Sequence, residues 1–195
     1  MEIKNITVFC GARTGTNPLY EESAFKLGQY LAEQDIGIVY GGGAVGMMGA
    51  VANGALERGG RVTGVIPQFL MDREMAHPDV QRMEIVQSMH KRKEMMEELG
   101  DAVIALPGGA GTLEEFFEVF TWGQIGLHKK PIGILNVNNF YDELLQLFDK
   151  LIAEGFLQAK YMEQLFTGKE AGELLEKLGT FTPVEVRTYN DIKRR

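Results

Sequence analysis

The stretch Ala102-Val103-Ile104-Ala105-Leu106-Pro107-Gly108-Gly109-Ala110-Gly111-Thr112-Leu113-Glu114-Glu115 runs from an apolar segment through a glycine-rich turn into residues with helical spacing. A brief apolar run closed by Pro and Gly reads as a buried strand. The apolar stripe Leu113, Phe116, Phe117 and Phe120 that follows reads as a helix over residues 112–125, with that stripe toward the core. Strand, tight turn and helix in this order form half of a βαβ unit. The same alternation continues outward on both sides, with strands predicted at residues 6–9, 37–40, 62–66, 85–86, 102–105 and 131–135. Helices are predicted at 20–34, 47–58, 89–99, 112–125, 141–154 and 169–178. The expected fold is therefore α/β, a Rossmann-like doubly wound parallel sheet forming a single domain over residues 1–195. Gly59-Gly60, Gly100 and Gly179 fall just past helical patterns, where a left-handed closing residue is commonly glycine. Residues 67–78 are expected to be irregular.

Composition narrows the function classes. With 45% hydrophobic and 24% charged residues the chain has the mixture of a globular domain. A single cysteine, Cys10, has no partner for an internal disulfide and is expected to be an inert buried thiol. A formal net charge of −7 opposes broad nucleic-acid binding, which depends on a basic face. The apolar residues 6–10 are too few for a signal-peptide core or a membrane span, so a cytoplasmic location without membrane attachment is expected.

Ligands of open parallel sheets collect at the carboxyl ends of the strands. Three glycine-rich loops fall there: Gly11-Ala12-Arg13-Thr14-Gly15, Gly41-Gly42-Gly43-Ala44-Val45-Gly46 and Pro107-Gly108-Gly109-Ala110-Gly111-Thr112. Each brings backbone N–H groups and a helix dipole toward a prospective phosphate. For any one such loop a mere tight turn is the slightly favoured explanation; three on one sheet edge shift the balance toward a nucleotide site. Gly41-x-Gly43-x-x-Gly46 matches a dinucleotide fingerprint, but the next strand ends Gly64-Val65-Ile66-Pro67 without the acidic residue a nicotinamide ribose needs, so NAD is discounted.

Glu114 and Glu115 stand in the first turn of the helix that should bind phosphate, where the dipole alone favours acids. Glu115 falls on the side opposite the apolar stripe, near Val119 and Trp122. A helix apolar on two sides implies a second covered surface, hence a homodimer close to the site and a partly desolvated Glu115 suited to acid–base work. Glu114 and Glu118 look more peripheral. Met89-His90-Lys91-Arg92-Lys93 opens another helix, and its arginine offers a planar, permanently charged fork for phosphate. His77, His90 and His128 lack metal-site spacing, and no metal or cofactor is called for.

Together, Met89-His90-x-Arg92-Lys93, Pro107-Gly108-Gly109-x-Gly111-Thr112-x-x-Glu115 and Gly41-Gly42-Gly43-x-x-Gly46 resemble the LONELY GUY (LOG) family, once labelled lysine decarboxylases. The resemblance runs from the first strand through the helix at Tyr141. It implies hydrolysis of a cytokinin riboside monophosphate or AMP to free base and ribose 5-phosphate, with Arg92 and Glu115 as the catalytic pair. It also implies nucleotide contacts from Lys93, from Gly109, Ala110, Gly111, Thr112, Leu113 and Glu114, from Thr121, and from Glu74. Gly11, Gly42, Gly43, Gly46 and Gly108 complete the expected binding loops. The competing reading is a nucleotide or molybdenum-cofactor carrier without turnover, against which the Arg92 and Glu115 pair argues. A pyridoxal-phosphate decarboxylase ranks below both, because no lysine has a persuasive Schiff-base context.

Overall fold

In the computed structural model, which describes residues 2–71 and 76–186, seven short strands pair in parallel into one sheet. The strands are β1 (Asn5–Phe9), β2 (Gly37–Tyr40), β3 (Val62–Pro67), β4 (Arg82–Val86), β5 (Ala102–Ala105), β6 (Ile132–Leu135) and β7 (Leu165–Gly168). They lie in the order β4-β3-β2-β1-β5-β6-β7. The helices are α1 (Pro18–Glu33), α2 (Gly46–Glu57), the single turn α3 (Gln68–Met71), α4 (Met89–Leu99), α5 (Ala110–Ile125), α6 (Asp142–Ala153) and α7 (Ala171–Gly179). The Rossmann-like expectation holds, with strands and helices within a few residues of the predicted bounds.

Alternation along each strand builds the two core layers. Ile6, Val8, Ile38 and Ile104 point to one face, under α1, α2 and α7. Phe9, Val39, Val65 and Val103 point to the other, with Phe116, Val119, Phe120 and Phe148 of α5 and α6. At Gly28 and Gly54 an added Cβ would strike the backbone of the opposing helix, so glycine is what lets α1 and α2 approach.

Two expectations need correction. β7 is not among the six expected strands: Leu-Phe-Thr-Gly is short and only partly buried, and it becomes a strand by pairing on the sheet edge beside β6, Ile132 with Leu165 through Leu135 with Gly168. Of the glycines placed after helices, Gly59 is left-handed (φ 69), whereas Gly100 closes α4 in an extended conformation (φ −95) and Gly179 is the last residue of α7. Gly100 has a different reason to be glycine, since a Cβ there would meet the Thr7 hydroxyl and backbone.

The order in which successive strands are laid down reverses between β1 and β5, which run parallel with Ile6 paired to Ala102 and Phe9 to Ala105. Connections lead one way from β1 toward β4 and the other way from β5 toward β7. The loops after β1 and β5 therefore diverge above this point and leave a crevice there.

Candidate active site

The crevice opens into a cavity of ≈540 Å³. Its floor is made by Cys10 and Gly11 after β1, Gly41 after β2, and Pro107 and Gly108 after β5; Gly11 N–H donates to the Pro107 carbonyl at 3.1 Å and ties two of these loops together. α5 starts at the cavity edge. Its N-cap is Gly109, which supplies no side-chain cap, and the first helical bond runs from Leu113 N–H to the Gly109 carbonyl at 3.1 Å. The N–H groups of Ala110, Gly111 and Thr112 thus precede the helical ladder, and all three sit at the positive end of the dipole. Gly109, Ala110 and Gly111 are exposed, and a Cβ at Gly109 or Gly111 would meet nothing within 4 Å. Backbone donors facing open space form an anion seat. Thr112 is buried, its side chain packed over Gly108.

Arg92 rises from α4 into the same space. It is 9% exposed, and its Nε donates to the Val65 carbonyl at 3.1 Å while Nη2 donates to the Gly41 carbonyl at 3.2 Å. Those two carbonyls lie within β3 and just past β2, so the sheet itself orients the guanidinium. The remaining nitrogen, Nη1, stands 3.7 Å from Glu115 Oε1, near enough for charge attraction and beyond a hydrogen bond.

Glu115 is 9% exposed and accepts no hydrogen bond among the described residues. Burial pushes its pKa above the ordinary glutamate value; Arg92 pulls it back in part, and the neighbouring Glu114 adds to the rise. The position differs from the sequence expectation. The buried stripe of α5 is Thr112, Glu115, Phe116, Val119 and Phe120, so Glu115 and Val119 share the sheet-facing side with the phenylalanines. Leu113 and Phe117 are half-buried at the margin, where Phe117 meets Phe148 of α6 at 5.7 Å. The helix is rotated by about one residue because it is wedged between the sheet and α6. Desolvation of Glu115 is accordingly a property of one chain and needs no partner subunit.

Of the other residues expected in the site, Gly11, Gly108, Gly109, Gly111, Thr112 and Glu114 line the cavity. Ala110 adjoins it at the start of α5, and Leu113 is turned to the core margin. Gly42, Gly43 and Gly46 are not in the lining: their loop is filled by the protein's own atoms, with Met48, Met83 and the Ala12 backbone where Cβ atoms would stand. Thr121 is exposed on a later turn of α5 and away from the cavity. Lys93 is buried, and its ammonium group binds Glu114 at 2.5 Å and Glu118 at 3.0 Å rather than the cavity. Glu74 lies outside the described residues.

Several lining residues carried no sequence signal. Tyr20 of α1 and Phe140 meet edge to face at the rim, ring centroids 5.6 Å apart. Phe140 is presented by a turn in which Asn138 and Asn139 are left-handed (φ 51 and 57), a conformation asparagine tolerates well. Met47, Met48 and Met96 belong to the core and also back the cavity wall. Cys10 reaches the cavity, and burial pushes its thiol far above the usual range, which leaves it un-ionised. His77 and His128 are held neutral by burial, and each accepts an N–H bond at Nδ1, from Asp79 and Lys130. His77 Nε2 then faces Asn53 and His128 Nε2 the Val119 carbonyl, so both serve packing.

A doubly wound sheet with an anion seat and a buried arginine–glutamate pair at its switch point defines a Rossmann-like protein of the nucleotide-site class. Residues 48–178 match the model of the family described as "possible lysine decarboxylase". Probable cytokinin riboside 5'-monophosphate phosphoribohydrolase LOGL1 of Oryza sativa subsp. japonica is 47% identical over 97% of this chain and 83% of its own length. Cytokinin riboside 5'-monophosphate phosphoribohydrolase LOG7 of Arabidopsis thaliana is 46% identical over 92% of this chain and 83% of its own. The chain belongs to this LOG family. Among solved structures, the molybdenum cofactor binding protein from Rippkaea orientalis superposes with a TM-score of 0.69 at 22% identity, covering 92% of this chain and 98% of that one. The molybdenum cofactor carrier protein from Chlamydomonas reinhardtii gives 0.69 at 19% identity, covering 92% and 100%. These two share the fold. Among the described residues no helix is long and apolar enough to cross a membrane.

Proposed function

We propose that this chain hydrolyses the N-glycosidic bond of adenine-type nucleoside 5'-monophosphates, a cytokinin riboside monophosphate or AMP, to the free base and ribose 5-phosphate. The observation that carries this reading is the juxtaposition of Glu115 and Arg92, both nine-tenths buried and 3.7 Å apart, beside an uncapped helix N-terminus open to the same cavity. Phosphate binding alone has no use for a buried carboxylate, which repels it.

The chemistry follows from the charges. Cleavage sends the bonding pair of C1' to the departing base nitrogen and leaves positive charge on the ribose, while water supplies the new C1'–O bond and the proton it loses is matched by the one the departing base takes up to leave as the free base. The Glu115 carboxylate faces the developing cation, where a desolvated negative charge acts more strongly than in water. It is also the group able to take the proton from the attacking water. Arg92, fixed by the Gly41 and Val65 carbonyls, orients the nucleotide without having to reorganise. The N–H groups of Ala110, Gly111 and Thr112 hold the 5'-phosphate, so that remote binding energy positions C1'. Unphosphorylated nucleosides are then poor substrates.

Homodimerisation belongs to the same proposal and is supported by apolar surface at the end of α5, where Ile125 is 42% and Leu127 is 67% exposed. A cytoplasmic location suits an acidic chain whose one cysteine is a buried free thiol.

The test is chromatography of the purified protein incubated with AMP and with isopentenyladenosine monophosphate, beside the matching nucleosides and the Glu115→Gln variant. Free base and ribose 5-phosphate from the monophosphates alone, lost by about 10³-fold or more in the variant, are expected. Tight nucleotide binding with no product would instead indicate a carrier, and full turnover by Glu115→Gln would remove Glu115 from the mechanism.

A further inference from the structure

Arg92 and Lys93 are consecutive on α4, so their side chains leave the helix about 100° apart. Arg92 turns under, to the strand ends. Lys93 turns sideways to α5, where Glu114 and Glu118 occupy successive turns and both bind its Nζ. The Lys93 side chain is 8% exposed, against 55% for Glu114 and 23% for Glu118. A lysine this buried is unusual unless paired. Burial works against its charge, and hydrogen bonds from Nζ to Glu114 and Glu118 outweigh that, so its pKa stands above the ordinary value and it remains an ammonium ion. The second oxygen of Glu118 is buried with no hydrogen-bond partner among the described residues, so this carboxylate depends on Lys93 for compensation.

The groups facing Glu115 are Arg92 and Lys93 from α4, Glu114 and Glu118 from its own helix, and the un-ionised Cys10 thiol from the end of β1. Two cations stand against three carboxylates. Without Lys93, Glu115 would face two further negative charges, the more buried of them on Glu118, with one arginine to offset them.

We propose that Lys93 is a positioning residue for hydrolysis, acting through α5: it clamps Glu114 and Glu118 and offsets their charge, so that Glu115 keeps its own negative charge beside Arg92. This rests on the reading of Glu115 as the working carboxylate, and it gives Lys93 a role other than touching the nucleotide.

The test is the pH profile of kcat/KM for monophosphate hydrolysis in the wild-type protein, Lys93→Met, Glu118→Gln and the double variant. A lone charge at this range changes an ionisation by about one pH unit. Its removal in Lys93→Met moves the acid limb up by that amount, and Glu118→Gln moves it down. In the double variant, where one charge of each sign is gone, the limb returns to within a few tenths of the wild-type position. A phosphate contact would raise KM at every pH with the limb unmoved, and a mere helix brace would lower the melting temperature with the limb unmoved; either result overturns the proposal. Glu118→Gln is a mild change and keeps the test open if Lys93→Met folds poorly. Carboxyl-carbon NMR titration of glutamate-labelled protein, with the Glu115 signal identified by its absence from Glu115→Gln, reads the same displacements without turnover. These displacements in the variants, with a wild-type protein that hydrolyses nothing, would sink the enzymatic reading and leave the Lys93 arrangement standing.

Discussion

Two glycine-rich loops on the same sheet edge are used in opposite ways. In the loop after β2, glycines make room for the protein: a Cβ at Gly41 would collide with the Arg92 guanidinium and Met48, and Gly46, at φ 66, lies against the Ala12 backbone. In the loop after β5, Gly109 and Gly111 have nothing within 4 Å of a would-be Cβ and line the cavity. The first loop holds the arginine in place, and the second leaves open space at the cavity. Glycine spacing looks alike in the two; what distinguishes them is whether the missing side-chain volume is occupied.

This contrast can be broken by alanine substitution. The largest effect is expected at Gly46→Ala, which adds a left-handed alanine and a backbone collision, together about 3 kcal/mol or more. Thermal melting should fall by about 6–12 °C. An unchanged melting temperature would mean that the loop after β2 is as open as the one after β5. Gly111→Ala, at the second residue of α5, should move stability the other way. Alanine favours a helix over glycine by about 0.5–1 kcal/mol, and the melting temperature should rise by about 2 °C. The added methyl stands in the proposed phosphate seat, so KM for the monophosphate should increase by about tenfold or more, measured alongside the melt. A more stable protein with unaltered KM would remove the phosphate from this loop.

The smallest effect sharpens the electrostatics. Because burial raises the Glu115 pKa in the folded state, the folded protein holds this proton more tightly than the unfolded chain. The resulting stabilisation is complete below the ordinary glutamate pKa and is lost as pH rises through the raised value. Glu115→Gln is therefore expected to melt above wild type at about pH 8, with the gain gone at about pH 4, near the ordinary glutamate pKa. A lower melting temperature for the variant at the higher pH would show that attraction from Arg92 outweighs burial.

Much of this arrangement was legible in the residues. Continuous apolar runs revealed β1, β2, β3, β5 and β6, because a strand buried on both faces needs them, whereas the partly buried β4 showed only its apolar end at residues 85–86. The edge strand β7, half-buried, has no such pattern. The motif from Pro107 to Glu115 located the helix start and the carboxylate, since both depend on local backbone geometry. The face of α5 was misread by about one residue: Leu113 and Phe117 are apolar because α6 covers them, and spacing alone does not say which neighbour covers which side. Residues 112, 115, 116, 119 and 120 fit the helical period as well as the stripe first read, with a glutamate among them.

What the sequence determined by itself was the alternation of strands and helices, the glycine loops at strand ends and the presence of an arginine and a glutamate beside them, all set by periodicity and short-range conformational preference. Only the tertiary structure decided that Arg92 is anchored on Gly41, 51 residues away, and on Val65, and that Lys93 turns instead to Glu114 and Glu118. Adjacent basic residues have nearly the same local preferences. Their fates separate because the rotation of α4 against the sheet and against α5 fixes which partners each long side chain can reach, and that rotation is set by packing across the whole core.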